Sequence, residues 1–198
     1  NDMPYHIKAW HRILNELGAN ISRERTKEEC YGKNQELLER IFPRRFSGEE
    51  KNRISLEKEK QYQKEFRPHL QLITGLDSFL KISKEARIQI GIGSAAIMFN
   101  IDFVLDGLNI RHYFDAIVSA DDVMRSKPDP ETYSMCAAKM GIAVKDCLVF
   151  EDAPKGAESA KNACMDCVII TTLHYPEEFD KYNNVITFIR DYNNFGLL

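Results

Sequence analysis

From about residue 70 onward, short apolar runs alternate with segments of helical periodicity, and this alternation limits the possible folds more than any other feature. The strand-like runs lie at residues 88–93, 116–118, 147–150 and 168–171, with a last short one at 185–186. The segments between them include helices predicted at 76–82, 131–140 and 155–163. Strands separated by helices indicate right-handed βαβ units and a parallel sheet covered on both faces. The fold class expected is therefore α/β, with ligands bound at the carboxyl ends of the strands.

The first third of the chain has a different pattern. Residues 3–69 show helical spacing and no convincing strand, as in Ile7, Trp10 and Leu14, which precede a stop at Gly18. Further helices are predicted around residues 37–42 and from 53 to 66. The change of pattern predicts a small all-helical domain at residues 3–69 and an α/β core at residues 70–198. A parallel strand pair within the first 65 residues would contradict this division.

Composition narrows the class of protein. A chain of 198 residues with 43% hydrophobic and 29% charged residues is typical of a globular protein. No apolar window has the length of a membrane helix and no signal-peptide pattern is present, although the start at Asn1 leaves a lost leader open. Five cysteines, an odd number, fit reduced thiols in the cytoplasm better than a disulfide framework.

Charge is unevenly distributed along the chain. Residues 1–69 carry 15 Lys and Arg against 12 Asp and Glu, whereas residues 70–198 carry 12 against 18. The first segment therefore has the better potential for an anionic partner, although most of these charges suit the solvated faces of helices. No dense basic stripe is present, so a nucleic-acid partner is not expected.

Polar residues follow three successive predicted strands. Ser94 follows the first, Lys127 follows the second after a short loop, and Glu151 and Asp152 directly follow the third. A carboxylate pair suits a hard cation such as Mg²⁺, and a Lys, a hydroxyl and exposed amides suit phosphate oxygens. We expect Ser94, Lys127 and Asp152 to converge at one rim of the sheet, where they could stabilise the charge of a transferring phosphoryl group.

The order and content of these motifs resemble the haloacid dehalogenase superfamily, and within it the β-phosphoglucomutase-like group with a helical cap. The resemblance rests on Ser-Lys-Pro-Asp-Pro at 126–130, on Val-Phe-Glu-Asp-Ala-Pro-Lys-Gly at 149–156 and on residues 105–116, which match that family's usual approach to its third strand. The first ten residues, with their His-x-x-Ala-Trp pattern, resemble the segment after that family's catalytic loop. The resemblance implies a Rossmann-like core and a cap, with residues 1–2 at the end of the catalytic loop or hinge.

The resemblance also implies roles for single residues. Ser94 and the amide of Ala95 would bind the phosphoryl group, and Lys127 would hold that group beside the nucleophile. Asp152 would bind Mg²⁺, with Glu151 as a second ligand or acting through water. His6 is expected at the hinge between core and cap, with a packed cap histidine as the alternative, and Lys33, Asn34 and Gln35 are expected in the substrate-specificity loop of the cap.

Three departures from the family pattern affect the expected activity. The nucleophilic aspartate and the acid/base aspartate would lie roughly seven and five residues before Asn1, at the end of a strand between those that precede Ser94 and Glu151. Gln35 stands where the mutases place a phosphate-binding arginine, and Lys33, Lys60 or Lys64 could compensate in part. Ala96 and Ile97 replace further polar phosphate contacts.

The leading hypothesis is a Mg²⁺-dependent phosphatase that acts on a small phosphorylated metabolite through an aspartyl-phosphate, as a cytoplasmic monomer. A β-phosphoglucomutase-type phosphomutase and an inactive ligand- or partner-binding protein are the alternatives. A haloalkanoate dehalogenase is disfavoured because it needs no metal, which would leave the pair Glu151 and Asp152 without a role.

Overall fold

A computed structural model of the chain describes residues 2–193 and 195. It divides into two compact units, Asn1–Leu70 and Gln71–Leu198. Among the described residues, the first unit contains helices and no strand, whereas the second contains five strands. No helix in the described part of the chain has both the length and the apolar character that a membrane span requires.

The helical unit consists of four α-helices, followed by a 3-10 turn at Arg67–His69, within the residues described. The helices are α1 (Met3–Glu16), α2 (Arg23–Glu29), α3 (Asn34–Ile41) and α4 (Gly48–Phe66). α4 begins five residues before the predicted start because Ser47 and Glu50 form a reciprocal cap: each side chain accepts the other residue's amide N–H. α2 is short and hydrophilic, so the apolar periodicity of the sequence does not single it out.

Apolar faces of α1 and α3 form the core of the helical unit. The buried members of this cluster are Trp10, Ile13, Leu14, Leu37, Leu38 and Phe42. Leu14 and Leu38 are fully buried. The helical spacing noted in the sequence therefore marks the faces that pack together.

The second unit alternates helices and strands. Its elements are α5 (Leu76–Glu85), β1 (Gly91–Gly93), α6 (Met98–Gly107), β2 (Ala116–Val118), α7 (Glu131–Met140), β3 (Leu148–Glu151), α8 (Pro154–Asn162), β4 (Asp166–Ile170) and β5 (Val185–Ile189). The predicted β1 was too long, because residues 88–90 lie outside the observed strand. The Ile88 amide still bonds to Ser83 O as part of the end of α5, and Arg87 has a φ of 60°. The hydrogen bonds that close the end of α5 therefore reach Ile88, the first residue of the run that looks strand-like in the sequence.

In the described part of the chain all strand pairs are parallel, and they form two sheets. β1 pairs with β2, and the order in the second sheet is β3-β4-β5. A direct pairing of β1 with β3 would contradict the strand order expected from the family resemblance, and no such pairing occurs among residues 2–193 and 195. The predicted α/β fold class is confirmed.

Helices α7 and α8 hold the strands in place. α7 packs against both β1 and β2, and α8 packs against β3 and β4. Small residues allow α8 to approach the sheet closely, since Ala157 and Ala160 are fully buried beside Val149 and Ile169. The loops that follow the carboxyl ends of β1, β2 and β3 carry the predicted site residues.

Replacing Leu38 with Ala should destabilise the helical unit by about 2–5 kcal/mol, because it removes a fully buried side chain and leaves a cavity. The single tryptophan, Trp10, lies in the same cluster, so its fluorescence during urea unfolding reports this unit. Leu56→Ala in α4 is the matched control, since Leu56 is 40% exposed and its loss should change stability by less than about 0.5 kcal/mol. Equal losses in the two variants would contradict this account of the core.

Candidate active site

Lys127 lies where the ends of the two sheets meet. Its ammonium donates to the backbone O of Gly93 at 3.1 Å, to the Tyr133 hydroxyl at 2.6 Å and to Glu151 Oε1 at 2.6 Å. Gly93 is the last residue of β1 and Glu151 the last of β3. The three protons of the ammonium are thus all engaged, and they tie the carboxyl end of one sheet to that of the other.

Tyr133, in the first turn of α7, binds both members of this ion pair. Its hydroxyl donates to Glu151 Oε1 at 2.5 Å while accepting from Lys127, whose Nζ lies 4.2 Å from the ring centroid. The ring also packs against Gly93, where a Cβ atom would lie 2.9 Å from Tyr133 Cδ1. Burial, with the nearby Glu151 carboxylate, raises the pKa of Tyr133, which keeps its proton for this hydrogen bond.

Glu151 uses both of its carboxylate oxygens inside the protein. Oε1 accepts from Lys127 and Tyr133, and Oε2 accepts from the amides of Asp152 at 3.0 Å and Ala153 at 3.2 Å. Burial acts to raise its pKa, but the Lys127 charge and these hydrogen bonds outweigh burial and lower the pKa below its ordinary value. In this geometry Glu151 is the anchor of Lys127, and direct metal binding would require it to release an existing contact.

Gly156 makes room for the Glu151 carboxylate. A Cβ atom at position 156 would overlap Cδ and both carboxylate oxygens of Glu151, far inside contact distance. The motif that carries Glu151 and Asp152 thus needs glycine four residues after Asp152 for a steric reason.

Asp152 follows Glu151 at the carboxyl end of β3. Its Oδ2 accepts from the Thr172 hydroxyl at 2.9 Å, and Thr172 follows the end of β4. The donor chemistry of Asp152 and Glu151 suits Mg²⁺, but within the described residues no group of three or more His, Cys, Asp or Glu is placed to hold a metal ion. These residues therefore fit only part of a magnesium site, to be completed by water, substrate or further protein oxygens.

Ser94 and Ala95 form a turn at the end of β1. The Ser94 amide bonds to Val118 O at 2.9 Å and extends the β1–β2 ladder, while its hydroxyl accepts from the Ala96 amide at 3.0 Å. The Ala95 amide has no hydrogen-bond partner among residues 2–193 and 195, and Ala95 is exposed. Ser94 directly follows Gly93, so this turn lies one residue from a Lys127 contact.

His6 lies in a polar cluster of the helical unit. Its ring stacks on Tyr62 at a centroid distance of 3.7 Å, and its Nδ1 lies 2.9 Å from Lys58 Nζ. Because an ammonium can only donate, Nδ1 must accept, which places the ring proton on Nε2, 3.6 Å from Asp2 Oδ2. Burial acts to raise the pKa of Asp2, but His6 and Tyr62 outweigh it and lower the pKa to about 2.

Lys58 and Glu59 of α4 are the buried ion pair of this unit. Each is 2% exposed, and Lys58 Nζ donates to Glu59 Oε1 at 2.8 Å. Burial lowers the pKa of Lys58, although Glu59 opposes the shift. The sequence interpretation considered Lys60 and Lys64 in this helix, but both are exposed, and Lys58 is the lysine that turns inward.

The predicted specificity-loop residues differ in their environment. Asn34 is partly buried and donates to Glu59 Oε1 at 2.7 Å, which connects it to the cluster around His6. Gln35 is exposed and donates to Asn52 Oδ1 at 2.5 Å. The Lys33 amide donates to Glu36 Oε2 at 2.8 Å at the start of α3. Asn34 is therefore the member of this set that the structure joins to His6.

Several functional candidates were missed by the sequence interpretation. Thr172 could have been found by the rule that located Ser94 and Asp152, because it too follows a strand. Tyr133 gave a weaker signal, as an aromatic residue with a polar tip early in the helix after the Lys127 loop. For Lys58, Glu59 and Tyr62, nothing in the highly charged α4 segment distinguishes the inward residues from their solvated neighbours.

Replacing Gly156 with Ala should displace the Glu151 carboxylate and destabilise the α/β unit by about 1–3 kcal/mol, because the new methyl group overlaps it. Urea unfolding followed by far-UV circular dichroism measures the change. Gly48→Ala is the matched control: Gly48 is also helical, a methyl group added there would meet no atom within 4 Å, and the variant should gain up to about 1 kcal/mol. If Gly156→Ala had the same free energy of unfolding as the wild type, Glu151 would not be confined as described.

Comparison with known proteins identifies the family of this chain. The family model described as haloacid dehalogenase-like hydrolase matches residues 1–170. Hexitol phosphatase B of Escherichia coli (strain K12) is 31% identical over 69% of this chain and 54% of its own length. Beta-phosphoglucomutase of Bacillus subtilis (strain 168) is 28% identical over 83% of this chain and 75% of its own length.

Solved structures show the same fold. The crystal structure of beta-phosphoglucomutase from Clostridium difficile superposes with a TM-score of 0.82 and 27% identity, covering 98% of this chain and 86% of the other. The curated relatives are matched over a smaller share: fructose-1-phosphate phosphatase YqaB of Escherichia coli (strain K12), 43% identical, is covered over 44% of its length and 42% of this chain. This chain thus spans about half the length of several curated relatives. With 170 of its residues matched by one family model, the chain belongs to the haloacid dehalogenase-like hydrolase family.

Proposed function

We propose that the protein is a Mg²⁺-dependent phosphatase that acts on a small phosphorylated metabolite, as a cytoplasmic monomer. The observation that carries the proposal is the position of Lys127, whose ammonium joins the end of β1 beside Ser94 to the end of β3 beside Asp152. Sugar-phosphate phosphatases among the relatives support the same reaction class.

In this proposal each site residue has a separate task. The Ser94 hydroxyl and the Ala95 amide donate to the phosphoryl oxygens, and Lys127 balances their charge. Asp152, oriented by the Thr172 hydroxyl, would hold Mg²⁺, which would supply positive charge beside the phosphoryl group, while Glu151 anchors Lys127. The aspartyl-phosphate intermediate requires a nucleophilic aspartate, which the family resemblance places ahead of residue 1.

The helical unit would supply substrate selectivity as a cap. Asn34 joins the buried cluster that contains His6, whereas Lys33 and Gln35 lie at the start of α3. Gln35 offers a neutral amide that already contacts Asn52, and an amide cannot replace the charge-assisted contacts of an arginine to a second phosphate. This favours a monophosphate substrate, and so a phosphatase over a phosphomutase.

Two other functions are tested by the same experiment. A phosphomutase is supported by the beta-phosphoglucomutase relatives, and an inactive protein would bind its ligand without turnover. The full-length protein should be screened for phosphate release from sugar phosphates, nucleotides and pyrophosphate, with and without Mg²⁺, and hexose 1- and 6-phosphates should be followed for interconversion. Phosphate release that requires Mg²⁺ supports the phosphatase, and interconversion supports the mutase. If no substrate undergoes either reaction, both enzymatic functions are contradicted.

Replacing Asp152 with Ala in the full-length enzyme should abolish Mg²⁺-dependent turnover and leave the fold largely intact, because the carboxylate lies at a strand end outside the apolar core. Steady-state phosphate release and circular dichroism measure the two effects. Asp166→Ala is the matched control, an exposed aspartate at the amino end of β4. Turnover near the wild-type value in Asp152→Ala would rule out the assignment of Asp152 as a metal ligand.

A further inference from the structure

Tyr133 is buried, contacts both charged groups at the strand ends, and has no task in the mechanism proposed above. We propose that Tyr133 is a positioning residue for the reaction, one that fixes the Lys127 ammonium relative to Glu151 so that a phosphoryl oxygen can replace the Gly93 contact. This inference rests on the proposed function, since it assigns the phosphoryl group to Lys127.

The hydroxyl of Tyr133 is suited to this task because it can donate and accept at the same time. It donates to Glu151 Oε1 at 2.5 Å and accepts from Lys127 Nζ at 2.6 Å. The ion pair alone, at 2.6 Å, leaves the flexible lysine stem able to swing about the carboxylate. A third group that binds both partners closes a triangle and removes that freedom.

The position of the hydroxyl is itself fixed by packing. Tyr133 is 7% exposed and belongs to the buried cluster that contains Val149 and Ala157. Its ring lies against Gly93, and α7, which carries it, packs on both β1 and β2. The contact is therefore made from a rigid helix and not from a loop.

Ligand binding at Lys127 must be an exchange, because all three ammonium protons are engaged. The contact to Gly93 O, at 3.1 Å, is the longest of the three and is made to an uncharged acceptor. It is therefore the contact most easily replaced by a phosphoryl oxygen, and it lies beside Ser94. The two shorter contacts, to Tyr133 and Glu151, then hold the ammonium during the exchange.

The test uses the full-length enzyme and the variant Tyr133→Phe, which keeps the ring and removes the hydroxyl. We expect kcat to fall about tenfold or more while KM changes less than about threefold, because displacing the ammonium weakens its stabilisation of the transition state more than it weakens substrate binding. Tyr182→Phe is the matched control: Tyr182 is 6% exposed in the same buried cluster, and its hydroxyl contacts Glu158 at 3.2 Å. The control should keep wild-type kcat and KM.

A second measurement needs no substrate. In ¹⁵N-labelled protein without ligand, the Lys127 ammonium should give a slowly exchanging NMR signal, since its side chain is 11% exposed and makes three hydrogen bonds. Lys127→Arg identifies the signal, which Tyr133→Phe should broaden or abolish and Tyr182→Phe should preserve.

These two readouts separate the inference from the proposed function. If the wild-type protein releases no phosphate from any substrate, the proposed function fails, and the ammonium signal alone decides whether Tyr133 fixes Lys127. An ammonium signal in Tyr133→Phe equal to that of the wild type would overturn the inference, whatever the turnover. In an active enzyme, kcat and KM of Tyr133→Phe within about twofold of wild type would overturn it as well.

Discussion

The ion pair between Lys127 and Glu151 is the interaction on which the α/β unit and its candidate site both depend. The two side chains are 11% and 12% exposed, and they link the loop after β2 to the end of β3, which belongs to the other of the two sheets in the described residues. A buried charge that loses its partner typically costs about 3–5 kcal/mol, so neither residue could be lost alone without a large change in stability. The pair also requires glycine at two nearby positions. A side chain at position 93 would displace the Tyr133 ring, and one at position 156 would displace the Glu151 carboxylate.

The helical unit contains a similar arrangement. Lys58 and Glu59 form its buried ion pair, and His6 and Asn34 are bonded to that pair in turn. The Trp10 ring centroid lies 5.2 Å from the Lys58 ammonium, so the apolar core and the polar cluster share a boundary. In each unit, a lysine whose charge is compensated internally lies beside the residues that the family resemblance assigns to ligand binding.

The sequence was sufficient for the fold class and for the residues that follow strands. Buried positions in strands and helices are occupied mainly by apolar residues, so their spacing can be read from the sequence. β2 and α7 were accordingly predicted with the bounds observed. β1 was predicted too long because the apolar Ile88 belongs to the turn that closes α5, where its amide bonds to Ser83 O, and an apolar residue in such a turn looks like the start of a strand. Ser94, Lys127 and Asp152 could be predicted because chain order places them at strand ends. The roles of Tyr133 and Lys58 could not, since both depend on which face of a helix turns inward and on contacts distant in sequence.

The engagement of every Lys127 proton has a consequence for which molecules the site can retain. A ligand gains nothing from Lys127 unless it is a better acceptor than the Gly93 carbonyl that it replaces. Neutral esters, alcohols and amides offer acceptors no stronger than that carbonyl, whereas a phosphoryl dianion offers charged oxygens. Under the proposed function, the Gly93 carbonyl would therefore select ligands at Lys127 by the charge of their acceptor oxygens.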